Sequence, residues 1–406
     1  MPHSGPRPPL ITPRFLLIVA SGLAYFFALS MLTPVLPLYV KGPLHGGGLA
    51  VGIGVGSFAV GAVLLRPYAG RLGDRTGRRR LVIGGALTVA ISIAGYGLID
   101  SLAWLVFARF VTGIGEAAFF VGAATMITDL APVERRGEAV SYWSIAVYGG
   151  LAFGPALGEV VLGDDRYVLT WLVASGLALV AAIVGCTLSE TDPNRVHGAT
   201  PTVRSRETTP NQRLIHPAAV RPGIVLMLGL IGLAGFSTFV SLYARRELHL
   251  SGAGGIFLIY GVCILLVRIF GARLPDRLGP IRSGTYALLF GAGGLAVMAG
   301  VRSVAGLIIG TVIFAGGMSL LYPALLVMAL AGIPDTERAS VVGTFSSFFD
   351  LSQGLGALLC GGAQQIFGYR SAFAVGAVLA AVGCITLRTG ASRRRAIAVA
   401  PEPTPA

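Results

Sequence analysis

Charge is scarce in this sequence: Asp, Glu, Lys and Arg supply 12% of the 406 residues, while hydrophobic residues supply 54%. A soluble globular chain carries about 25% charged residues. Halving that share over this length leaves too little polar surface for water to be the main solvent, and points to lipid. Lysine is nearly absent, Lys41 being the only one. The four cysteines (Cys186, Cys263, Cys360, Cys384) lie in apolar runs without metal-ligand spacing, which argues against a disulfide framework or a metal site. The histidines, His3, His45, His197, His216 and His249, all fall in expected loops or tails. With no Ser/His/Asp set, metal cluster or nucleotide-binding loop, neither an enzyme nor a cofactor is expected.

What the chain has is long apolar runs. Residues 15–40, 81–99, 167–189 and 283–301 contain no charged side chain. Each is near or above the ~20 residues that cross a hydrocarbon core as a helix. None alternates as the strands of a membrane barrel do. The runs predict helices at 15–40, 49–69, 81–99, 103–128, 138–162, 167–188, 223–244, 252–271, 283–300, 304–330, 339–366 and 371–388. The first run is too long for a cleavable signal peptide, and Pro34 and Pro37 suit a broken membrane helix. The expected fold is an all-α membrane protein of twelve transmembrane helices. Its parts are a tail (1–14), a six-helix half (15–188), a polar Pro-rich linker (189–221), a second six-helix half (222–389) and a disordered tail (390–406).

A net charge of +13 would suggest nucleic acid in a soluble protein. Here the basic residues crowd the short loops, so lipid is the expected partner and nucleic acid is not. The N-terminus, even-numbered loops and C-terminal tail hold 22 of them, and the odd-numbered loops hold 6. Positive loops stay in the cytoplasm, which places both termini there. The halves also read as a repeat. At a constant offset of 202, Arg66, Arg71, Leu72, Asp74, Arg75 and Gly77 recur as Arg268, Arg273, Leu274, Asp276, Arg277 and Gly279.

The segment from Gly70 to Arg80 carries the strongest pattern: Gly70, Leu72, Asp74, Arg75, Gly77 and then Arg78-Arg79-Arg80. Topology alone explains a basic cluster but not this order. The order resembles the signature loop of the major facilitator superfamily. That resemblance implies two six-helix repeats and a gate. Asp74 would face the N-terminal, positive end of the eleventh helix, and Arg78 would pair with Asp129 at the end of the fourth. Asp276 and Arg277 would form a weaker copy.

The fourth helix holds Arg109 and Glu116, both costly inside an apolar helix. Seven residues apart, they share a face but cannot form a simple i,i+4 pair. The stretch resembles the family's Arg-x-x-x-Gly-x-Gly element, whose Arg assists proton movement. Thr112 stands where Gln is usual and Glu116 where a small residue is usual. In the fifth helix Gly150, Gly154, Pro155 and Gly158 allow close helix approach and a kink. Their order resembles the antiporter signature of drug/proton exchangers, with Glu159 and Ser141 as departures. Asp350 is the only acid inside helices seven to twelve. Together these readings predict a proton-coupled exporter of small amphipathic molecules. A proton symporter or facilitator importing a nutrient is the alternative. Arg109, Glu116, Glu159 and Asp350 are the candidates for coupling or substrate binding, in a monomer of a bacterial cytoplasmic membrane.

The loop asymmetry yields a direct test of topology. A reporter active only in the cytoplasm is expected to work when fused within 195–215 or at the tail. Activity from fusions at Gly47 or Arg166 instead contradicts the orientation.

Overall fold

The computed structural model describes residues 10–132, 135–191, 216–270 and 278–399. Asp276 and Arg277 therefore lie outside the described residues. Among the described residues twelve long helices occur and no strand. They are α1 (Pro13–Lys41), α2 (Gly48–Thr76), α3 (Arg78–Gly95), α4 (Leu102–Leu130), α5 (Arg136–Leu162) and α6 (Tyr167–Thr187). Then follow α7 (Pro217–Glu247), α8 (Gly254–Phe270), α9 (Pro280–Gly300), α10 (Val304–Leu330), α11 (Asp335–Phe367) and α12 (Tyr369–Val399). Ten are long and apolar enough to cross a membrane. Of the others, α8 is a shorter apolar helix. Helix α11 is diluted by Thr344, Ser346, Ser347, Asp350, Ser352 and Gln353.

Local chemistry sets the helix ends. Thr12 caps α1 by accepting from the Phe15 amide at 3.2 Å, and Pro13 opens the helix with a φ already suited to it. Ser303 caps α10 through the Gly306 amide at 2.9 Å. Four boundaries depart from the sequence expectation. Gly70 through Thr76 are the last turns of α2, not a loop. The chain breaks only at Gly77, whose φ of 100° suits a residue without Cβ. Arg78–Arg80 form the first turn of α3. Helix α7 begins at Pro217, inside the stretch read as linker. Helix α12 continues to Val399, into the stretch read as a disordered tail. Between Arg388 and Ala398 that stretch has no proline and is rich in Ala and Arg, which propagate helix well.

The chain divides into two compact units. One is Met1–Pro210 with Gly252–Leu258, the other Asn211–Ser251 with Ile259–Ala406. In the first, α1 packs on α5 and α6, and α4 on α2 and α3. In the second, α7 packs on α11 and α12, and α9 on α10 and α12. Bilayers supply no hydrophobic drive between helices, so association depends on close van der Waals approach. Glycines permit it. A Cβ on Gly154 would lie 2.6 Å from the Ser30 Cβ of α1, and one on Gly158 would run into the Met31 carbonyl. Gly61 and Gly113 bring α2 and α4 together in the same way, against the Phe110 and Phe58 carbonyls.

The repeat is visible in these contacts. A Cβ on Gly115 would meet the Gly85 carbonyl at 2.8 Å, and one on Gly317 the Ala287 carbonyl at 2.5 Å. Both residues of each pair are related by the same offset of 202. Gly77 and Gly279, also so related, both hold a positive φ before the third helix of their unit.

Gly158→Ala is expected to lower stability by about 1–3 kcal/mol, because backbone against backbone cannot yield as a side chain can. Gly84→Ala is the control, since nothing lies within 4 Å of its added Cβ. Thermal unfolding in detergent checks both. Equal midpoints for the two variants contradict the packing role.

Candidate functional site

Helix α4 buries two ionic side chains in its interior: Arg109 and Glu116 are each 7% exposed. They do not pair with each other. The Glu116 carboxylate accepts from Arg66 of α2, whose Nη2 lies 3.2 Å from Oε1 and 3.1 Å from Oε2. The glycines that let α2 touch α4 put these side chains within reach. A charge this deep is tolerable because it is partnered. Aromatic rings frame the pair. Arg66 Cζ sits 5.1 Å from the Phe120 ring centroid, and Tyr25 of α1 stacks on Phe119 at 3.7 Å and 12°. Tyr25 is fully buried, and its hydroxyl has no hydrogen-bond partner.

Arg109 turns to α2. Its guanidinium lies 4.6 Å from the Phe58 ring and its Nη2 reaches the Val55 carbonyl at 3.5 Å. Thr112 sits 2.9 Å from the Ser92 hydroxyl and 2.6 Å from that of Tyr96, so this departure from the family pattern ties α4 to α3.

A second cluster gathers at the start of α3. Three arginines open that helix where the helix dipole repels cations. Carboxylates compensate. Arg78 forms an ion pair with Asp129, near the end of α4. Glu190, beyond α6, accepts from the backbone N–H of Arg78 at 3.1 Å and of Arg79 at 3.3 Å, satisfying donors the helix leaves open. Thr191 donates to Asp129 at 3.1 Å. Asp74 lies in the last turns of α2, with its side chain outside the described residues.

The remaining acids are separate from these. Glu159, 6% exposed, follows Gly158 on α5, and a Cβ on Gly254 would lie 3.3 Å from its Cβ. Asp350, 7% exposed, belongs to the second unit, next to Phe349, whose ring meets Tyr322 edge-on. Among the described residues no group of three or more His, Cys, Asp or Glu could hold a metal.

The geometry is that of an apolar helical protein with ionic groups held in its interior, and sequence comparison agrees with it. A model of the Major Facilitator Superfamily matches residues 18–305. The chain belongs to this superfamily. An uncharacterised MFS-type transporter of Salmonella typhimurium is 33% identical over 359 residues, covering 86% of this chain and 89% of that one. One of Burkholderia mallei is 29% identical over 376 residues, covering 89% and 88%. Among solved structures, a bacterial homologue of the human lysosomal transporter Spinster has a TM-score of 0.75 at 16% identity, covering 93% of this chain and 96% of that one. The nucleoside transporter NupG gives 0.73 at 13%, covering 93% and 99%. At such identities the likeness is one of fold. This major facilitator protein is thus a multi-pass membrane transporter of small molecules and not an enzyme.

Two features of these clusters escaped the sequence reading: Arg66 as partner of Glu116, and Glu190. Arg66 did carry a signal, being one of three basic residues inside expected helices and repeated as Arg268. Glu190→Ala is expected to cost about 1 kcal/mol, as loss of a helix cap does. Thermal unfolding checks it. An unchanged midpoint shows that the arginine-rich turn needs no carboxylate.

Proposed function

We propose that the protein is a proton-coupled secondary transporter that exports small amphipathic molecules by alternating access. The observation that supports coupling is the buried Arg66–Glu116 pair. Protonation of Glu116 removes the negative member and leaves Arg66 without that partner, so the two protonation states differ in the charge the helices must hold. Such a difference can bias a conformational equilibrium. Arg109 and Asp350 are the other buried groups able to sense it, and Glu159 is next in line.

Export is supported by the order of Gly150, Gly154, Pro155 and Gly158. The contacts of these glycines with α1 give them a packing role, so the direction rests on the order itself. Proton symport is a second reading, favoured by the identity of the partner of Glu116: a cation released by protonation calls for an anion. In either reading the α2–α3 junction is the gate. Asp74 and the Arg78–Asp129 pair hold it, and Asp276 with Arg277 forms the weaker copy. The site of action is the bacterial cytoplasmic membrane, with both termini in the cytoplasm.

Glu116→Gln and Asp350→Asn test coupling in vesicles carrying an imposed pH gradient, with an internal pH dye reporting proton flux as candidate compounds are added. Glu116→Gln is expected to abolish compound-dependent proton flux at normal expression. Full flux in that variant contradicts Glu116 as the carrier. The sign of flux in the wild type separates export from import.

A further inference from the structure

At the end of α3 away from its three arginines, α3 and α4 line a groove of about 450 Å³. Small-molecule sites occupy about 300–1,000 Å³. Small side chains leave this space. Ser92, Gly95 and Ala108 lie deepest in it, and a Cβ added to Gly95 would have nothing within 4 Å. The polar group there is already satisfied, since the Ser92 hydroxyl donates to the Ala108 carbonyl at 2.7 Å. Large apolar side chains form the walls. They are exposed, Leu98 to 89%, Trp104 to 62% and Phe107 to 58%. In a chain that spans the bilayer, a groove with such walls opens sideways toward lipid.

One charged group belongs to the lining. Asp100 sits in the short turn between the two spans, at the membrane end of the groove. It is exposed, and among the described residues no hydrogen bond or ion pair holds its carboxylate. The nearby Tyr39 hydroxyl is committed to the Ile99 carbonyl at 2.6 Å. The turn, Tyr96 to Ser101, has no basic residue. On α4 the lining runs from Trp104 to Val111, about 10 Å along the axis into the span. A carboxylate at the membrane end and an apolar trough running inward from it are complementary to an amphipathic cation. We infer that the groove holds a phospholipid with a primary-amine headgroup, its ammonium on Asp100 and an acyl chain along the trough. Trp104, near the start of α4, then stands at headgroup level, where indole rings are enriched.

Headgroup chemistry selects among lipids. A glycerol headgroup brings no cation to the carboxylate. A choline headgroup brings a cation without an N–H to donate, whereas a primary ammonium has three donors. A free amphipathic amine offers the same group, but the groove faces the bilayer, where lipid is in excess and fills sites by mass action. Burial of the acyl chain is common to all these lipids, so the contact with Asp100 decides the preference. Asp100 also precedes the N-terminus of α4, where negative charge is favoured. That role acts on stability and not on the choice among lipids. The inference is independent of Glu116 and of the direction of transport.

Native mass spectrometry of the purified, delipidated full chain tests this, with phosphatidylethanolamine and phosphatidylcholine of identical acyl chains supplied in equal amounts. The wild type is expected to retain phosphatidylethanolamine over phosphatidylcholine by about two- to fivefold, the range of one exposed charged contact. Asp100→Asn should bring the two lipids level, and Asp100→Glu should keep the preference. Gly95→Leu, which fills the groove, should remove the tightly retained lipid. Gly84→Leu, at another open position of α3, should leave it in place. Equal retention of the two lipids by the wild type overturns the inference. So does a preference that Asp100→Asn leaves intact, or lipid retention that Gly95→Leu leaves unchanged. Dodecylamine that displaces phosphatidylethanolamine at equal concentration assigns the groove to free amines, and a dimer that Gly95→Leu dissociates assigns it to a second copy of the chain. Either result overturns the inference as well.

Discussion

A guanidinium and a carboxylate 3.1 Å apart, on two helices that lipid surrounds, set the terms for the first six-helix unit. Neither charge is tolerable there alone. Holding them together requires α2 and α4 to touch, and this is where Gly61 and Gly113 lie. The same contact gives Arg109 an aromatic face and a carbonyl on α2. Glycine packing and buried charge are therefore one arrangement: close approach makes the pair possible, and the pair fixes which faces approach. Chemistry that neutralises one member must be felt by both helices.

At the α2–α3 junction a different conflict is resolved. Basic residues in a short loop serve orientation in the membrane, yet here they begin a helix whose dipole opposes them. Asp129 and Glu190 compensate from the ends of α4 and beyond α6. This links these arginines to two other helices, α4 and α6. A change in the carboxylates would reach the helix start directly, which supports the proposal that the junction takes part in a gate.

Much of the fold was legible in the sequence because lipid imposes simple demands. Apolar length marked the helices, and the offset of 202 paired Gly77 with Gly279, which prove structurally equivalent, while the structure extends the same offset to Gly115 and Gly317. Glycine spacing on α5 announced a close helix contact, though not that α1 is the partner. The helical course through Gly70–Thr76 was not legible, because glycines and charges look like a loop until their neighbours are known. Leu81 against Gly73 is one such neighbour. The partner of Glu116 was hidden for a related reason. Spacing along one helix shows which residues share a face, but not what the next helix brings to it. An arginine inside a helix and an acid inside another were both visible, and only tertiary structure could join them.

The central claim is the proposal that Glu116 takes a proton and thereby weakens its pairing with Arg66. Infrared difference spectroscopy of the protein in lipid, recorded on acidification, observes that event directly. The account predicts a protonated-carboxyl band in the wild type that disappears in Glu116→Gln, accompanied by a change in guanidinium vibrations that is lost in the same variant. Identical difference spectra for the wild type and Glu116→Gln would contradict it.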